Sequence, residues 1–229
     1  MRNFWKYGLF ALSLFAGAAP ELALANPMIT NGSFETPSYV NQTTDWAYLN
    51  GTITGGWNFT EPSSGGNSGI AAYGSTWATA TPVPGGGQQV GFFQGGQMSQ
   101  ALTGFAPDTN YSISFWAESR PGYTSTDPLT IWLGSINLGT YTAPSNTSFT
   151  YFSTPYYTTG GIAPTSLTLT MVAQSLQSSG TTVDKAIAID MVSIDVDKPM
   201  ACSIFLLGIA VLFGLKMAQR TGSDNYGLS

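Results

Sequence analysis

Histidine is absent from this 229-residue chain, which excludes Ser-His-Asp and Cys-His catalysis and the usual zinc sites. The one cysteine, Cys202, lies in an apolar run near the C-terminus, so the rest of the chain has no disulfide. An exported domain of this size does not need one, because its core is large enough. Charge is scarce as well, at 8% of residues, with only seven Lys and Arg. Between Asn26 and Asp197 ten acids face two bases, Arg120 and Lys185, a formal charge of −8. Such a domain lacks the cationic patch that a phosphate backbone requires, which argues against nucleic acid as a partner. Abundant Gly, Ser, Thr, Asn and Gln point instead to an extracytoplasmic β protein with a neutral polar surface.

The two ends differ in kind from the middle. Residues 1–25 combine a short basic start (Arg2, Lys6), an apolar core from Tyr7 to Ala19, and small residues at Ala23 and Ala25. This is the pattern of a signal peptide, with the mature chain starting near Asn26. After Pro199 an apolar run extends to Leu215, followed by Lys216, Arg220 and a short polar tail. At about 16 to 17 residues it stands at the lower edge of what spans a bilayer. The cations beyond it orient the domain outside and the tail in the cytoplasm. The expected layout is a signal peptide over 1–25, a β-sandwich over 26–197, a transmembrane or sorting helix over 198–221 and a polar tail over 222–229.

A secreted, low-charge β domain followed by a short apolar helix and a basic end resembles the PEP-CTERM class of bacterial surface proteins. That resemblance implies an exosortase-type processing enzyme as a partner and an exopolysaccharide-producing setting. The chain departs from the pattern in having Asp197-Lys198-Pro199 where Pro-Glu-Pro would stand, and in its extra tail. A plain single-pass anchor is the alternative.

Within 26–197 the pattern is that of short strands. Tyr111 to Arg120 alternates Tyr111, Ile113, Phe115 and Ala117 with Ser112, Ser114, Trp116, Glu118 and Arg120. Leu129 to Leu133 repeats this, with Thr130 and Trp132 outward. Gln88–Phe93, Gln97–Leu102, Phe149–Ser153, Ser166–Ala173 and Ala186–Val196 are further strands, eight or nine in all, with no helical period. From Thr60 to Gly87 long surface loops are expected, with a short strand near Gly69 to Tyr73. The last strand alternates poorly: Ile187, Ile189 and Met191 would point one way and Ala188, Val192 and Ile194 the other. That suggests burial on both faces. Strand count and spacing predict an all-β, two-sheet antiparallel sandwich, a jelly roll.

Asn31-Gly-Ser-Phe-Glu35, the pair Gly56-Trp57, Gln100, and the closing Ile189-Asp190-Met-Val-Ser-Ile194 together resemble the carbohydrate-binding jelly-roll modules of the galactose-binding-like type. That likeness implies a structural Ca²⁺ held by Glu35 and Asp190, a hard cation wanting oxygen ligands. Without a cation, Asp190 needs backbone N–H donors or a strand end open to solvent.

Trp116 and Trp132, outward on consecutive strands, are candidates to stack on the apolar face of a sugar ring, with Glu118 and Arg120 supplying directional hydrogen bonds. Trp46, Tyr48, Tyr73 and Trp77 make a rival site in the loops. The mature glutamates Glu35, Glu61 and Glu118 fall in no catalytic motif, so no enzyme is expected. The sequence reading is therefore a non-catalytic, cell-surface module contacting extracellular polysaccharide or glycoconjugate. The alternative is a structural envelope or matrix protein without a specific sugar ligand; a binding module should expose a co-planar Trp116–Trp132 pair, and a structural protein should bury it.

Overall fold

The structure, a computed structural model, describes residues 26–61, 67–123, 127–144, 148–173 and 185–197. The predicted signal peptide, the C-terminal helix with Cys202 and the polar tail all lie outside the described residues. Those described contain strands and turns and no helix.

Thirteen strands form two antiparallel sheets. They are β1 (Trp46–Tyr48), β2 (Gly51–Thr52), β3 (Asn58–Thr60), β4 (Ser68–Ala72), β5 (Gln89–Phe93), β6 (Gly96–Thr103), β7 (Asn110–Ser119), β8 (Leu129–Leu133), β9 (Ile136–Tyr141), β10 (Thr150–Ser153), β11 (Tyr157–Thr158), β12 (Ser166–Ala173) and β13 (Ile187–Asp197). The first sheet runs β1-β4-β5-β13-β7-β10, with β11 also on β7, and the second runs β2-β3-β6-β12-β8-β9. The chain passes repeatedly from one sheet to the other, among other places between β5 and β6, between β7 and β8, and between β12 and β13, as a sandwich requires. The predicted two-sheet β architecture is the one observed, and β9 and the shortest strands are additions to it.

The core is the interleaved inward set. Ile113, Phe115 and Ala117 of β7 face Leu129, Ile131 and Leu133 of β8 and Leu169 and Met171 of β12, all at 1% exposure or less. Burial of side chains this size stabilises by roughly 1.5–3 kcal/mol each.

The segment before β1 forms no strand. It is an irregular strap that plugs the sandwich. Phe34 is fully buried and stacks on Trp57, ring centroids 5.5 Å apart, and the Trp57 indole N–H donates to the Asn31 carbonyl. Buried Gln100 pins the strap by accepting from Thr30 N–H and donating to its carbonyl.

The poor alternation of β13 has a different cause from burial on both faces throughout. Its pairing with β7 slips between Asp190 and Ser193, and Met191 takes φ 51°. This bulge moves the inward set from Ile187 and Ile189 to Val192, Ile194 and Val196, and turns Met191 away from the core. Ala188, before the slip, belongs to a second apolar cluster on the outer face of the first sheet.

Candidate functional site

That second cluster holds Ala71, Trp77, Ala78, Val90, Phe92, Ala186 and Ala188, with Trp46, Tyr73 and Phe149 against it. Residues 73–87 build it by folding back over β4, β5 and β13. The expected solvent loop is therefore a cover, and the rival aromatic site is largely closed. Trp77 is 2% exposed and stacks on Phe92 at 4.2 Å and 14°. Trp46 meets both rings edge-on, and Tyr48 keeps 40% exposure at the rim.

The cover rests on two buried carboxylates. Glu118 of β7 accepts from Thr79 N–H at 2.7 Å and from Thr79 Oγ1 at 3.0 Å. Asp190 of β13 accepts from the Tyr73 hydroxyl at 2.6 Å and from Met191 N–H at 2.6 Å, while Tyr73 Oη itself accepts from Val83 N–H at 3.3 Å. Desolvation pushes both carboxyls up to about 7, against the lowering of their hydrogen bonds, and the nearby Glu35 charge adds to the rise at Asp190. Burial and Asp190 drive the Tyr73 phenol far above its usual value. A third buried acid, Asp127, is likewise raised to about 7 by desolvation. It accepts from Gly95 N–H, and Lys185 pulls it partly back.

The resemblance assigned Glu35, with Asp190, to a calcium site, and no strand carries Glu35. It sits instead in the strap, where Oε1 caps the start of β5 by accepting from Gln88 N–H (2.9 Å) and Gln89 N–H (3.0 Å). Glu35 and Asp190 are brought together across the Gly86-Gly87 backbone. A Cβ on Gly87 would collide with the Glu35 carboxylate, and one on Gly86 would lie 2.5 Å from Asp190 Oδ2. The two acids are thus neighbours, each held by its own donors. Among the described residues no group of three or more acidic or sulfur side chains converges on one point.

The four residues predicted to bind sugar do not share one face. β7 belongs to the first sheet and β8 to the second, so Trp116 and Trp132 lie on opposite outer surfaces. Their succession in the chain spans the crossover between sheets, which is why they cannot form a common platform. Glu118 is fully buried beneath the 73–87 cover and does not reach the surface beside Trp116. Arg120 lies 4.0 Å over the Trp77 ring and 4.5 Å from the Tyr123 ring, and donates to Thr76 O and Oγ1. Packing and hydrogen bonds occupy both side chains that were expected to orient a ligand.

Trp132 stands in a setting of its own. Strand registers place Thr52, Asn58, Ser99, Thr170, Trp132 and Asn137 in one row, one residue from each strand of the second sheet. A second row alongside contains Thr60, Gln97, Val172, Thr130 and Thr140, with Thr130 and Thr140 hydroxyls 2.9 Å apart. None of the six strands carries a charged residue. Trp132 is half-buried, and its ring has no aromatic partner among the described residues. Only Trp132 of this row was singled out from sequence. The alternation of small polar residues in β6 and β12 was the available signal, but which strands lie beside β8 is a non-local fact.

No family model and no curated protein matches this chain. Among solved structures, the Stig cyclase Fisc from Fischerella sp. TAU, in complex with a pyrrolidinylidene-indole, aligns at TM-score 0.55. It is 15% identical, and the match covers 76% of this chain and 98% of the cyclase. The two share a fold. Lower similarity, at TM-score 0.47 and 8% identity, links the chain to TmCBM61 in complex with β-1,4-galactotriose, covering 76% of this chain and all of that one. The CBM22-1 xylan-binding domain of Paenibacillus barcinonensis Xyn10C aligns at 0.42 and 14% identity, covering 67% and 94%.

Proposed function

We propose that this protein is a non-catalytic, exported surface module that contacts neutral extracellular polysaccharide through the outer face of the second sheet. The observation carrying this reading is the row Asn58, Ser99, Thr170, Trp132 and Asn137 on a sheet without charge. A half-exposed indole offers an apolar face to the C–H side of a sugar ring. Flanking amides and hydroxyls donate to and accept from ring hydroxyls without the desolvation cost a fixed charge would add. The buried carboxyls support a non-catalytic role. Glu118 and Asp190 are sealed under the 73–87 cover by Thr79 and Tyr73, whereas a glycosidase needs two carboxyls facing one accessible bond.

Export by the 1–25 signal, tethering through 198–221 and processing by an exosortase-type enzyme belong to the same reading, as does a Ca²⁺ at Glu35 and Asp190. The cation would sit beside oxygens already committed to N–H and O–H donors, and its role would be to clamp the strap to β13.

The test is retention of the full chain, in detergent, on immobilised neutral galactan, xylan and glucan, with polyanionic alginate as control. Binding to a neutral polymer that Trp132→Ala clearly weakens is the expected result. Retention unchanged in that variant, or confined to alginate, would refute the assignment.

A further inference from the structure

The separation of the two tryptophans leaves Trp116 on a face of its own. It sits on β7 where the 73–87 cover ends, directly across from Asp190, the residue that Tyr73 ties down. On its other side is Tyr151 of the edge strand β10, its Cα partner, 52% exposed and edge-on to the indole at 5.5 Å. Along the strands from this aromatic pair the outer face exposes Ser153 and Ser193, then Asp195 and Asp197, with Ser112 and Ser114 buried between the strands. Ser153 pairs with Ser114, and Ser114 pairs with Ser193, their Oγ atoms 2.6 Å apart, with Ser112 next. The Trp116 face thus sets a partly exposed ring pair beside the hydroxyls of Ser153 and Ser193, with the exposed Asp195 carboxylate, in register with Ser112, as a charged acceptor farther along.

Stacked sheets lie about 10 Å apart, and their outer side chains project in opposite directions. A sugar on one face cannot touch the other except by wrapping a sheet edge. Resting on the reading of the Trp132 face given above, we infer that the domain is two-sided. Trp116 and Tyr151 form a second contact for neutral sugar, so that one domain bridges two polysaccharide strands. Two contacts that cannot engage one strand together raise avidity only in a network of strands, where each bound domain is a crosslink. That is the behaviour of a matrix-organising protein rather than of a targeting module.

The experiment is calorimetric titration of the detergent-held full chain with hexasaccharides of xylan, galactan and glucan. It is run on wild type, Trp132→Ala, Trp116→Ala and Tyr151→Ala. Tyr151 projects into solvent, so its removal leaves the fold intact and guards against a Trp116 variant that merely misfolds. Expected are two hexasaccharides per chain in wild type and one in each variant. Each variant should also lose the wild type's gelation of the matching polymer. One hexasaccharide per chain, lost with Trp132→Ala and indifferent to Tyr151→Ala, would overturn the second contact while leaving the first. A dimer that Tyr151→Ala dissociates, again with one ligand per chain, would assign this face to a second copy instead. No binding by wild type to any of the three would overturn both readings.

Discussion

At the scale of single residues, three acids of this sparsely charged molecule are buried. Glu118, Asp127 and Asp190 are at most 1% exposed, and each accepts a backbone N–H. A buried carboxylate is stabilised by such donors and penalised when one is removed. Tyr73→Phe takes the hydroxyl from Asp190 Oδ2 and one anchor from the 73–87 cover. We expect a loss of about 1–3 kcal/mol in urea unfolding, the cost of leaving a buried polar group unpaired. Gly87 permits the approach of the strap to β5, because any Cβ there meets the Glu35 carboxylate. Gly87→Ala therefore lowers the free energy of urea unfolding by about 1–3 kcal/mol, the usual cost of overpacking, whereas Gly122→Ala meets no atom within 4 Å. At Gly122 the expected cost is that of its φ of +82° alone. Calcium is tested at the same spot. With the cation bound across Glu35 and Asp190, chelator lowers the melting temperature of wild type and not of Glu35→Gln, and an identical melt with and without chelator would remove it from the account.

At the scale of elements, the cover on β4, β5, β13 and β7 gives the fold its dependence on pH. Glu118 titrates near 7 in the fold against an ordinary value of 4.5, so folding favours its protonated form. Its contribution is complete below about 4.5, fades as pH rises, and is gone above about 7. Asp127 and Asp190 act in the same sense. Urea midpoints should fall between pH 4.5 and 7.5, and Glu118→Gln should flatten that fall, since the amide accepts from Thr79 N–H and donates to Thr79 Oγ1. A midpoint that rises with pH over this range would contradict the assignment.

Elements are also where sequence and structure part. The strands of β5, β7, β8 and β12 were legible because a period of two is written locally in their side chains. The bulge in β13 was not, since a slipped register shows in a sequence only as bad alternation, and that also describes a strand buried on both faces. Nor was the 73–87 cover: Gly, Pro and Thr read as solvent loop, and only Trp77 and Val83 hinted at a buried underside. Candidate sites suffered for the same reason. Trp116 and Trp132 were correctly read as outward, but outward on which sheet depends on a crossover that no local pattern records.

At the scale of the whole molecule, the acids among the described residues are internal or lie in loops and at one strand end, and the second sheet carries no charge. The formal −8 of the domain thus does not describe the outer face of the second sheet, the proposed sugar contact. Binding there should be nearly insensitive to salt, because no counterion is displaced when a neutral sugar docks on neutral side chains. The most direct test of this central claim is the ¹⁹F spectrum of the full chain labelled with 5-fluorotryptophan, titrated with neutral hexasaccharide. The Trp132 resonance, identified by its loss in Trp132→Phe, should move on saturation, while those of buried Trp57 and Trp77 stay fixed. A Trp132 signal that does not move at any concentration, or movement confined to Trp77 and Trp46, would contradict it.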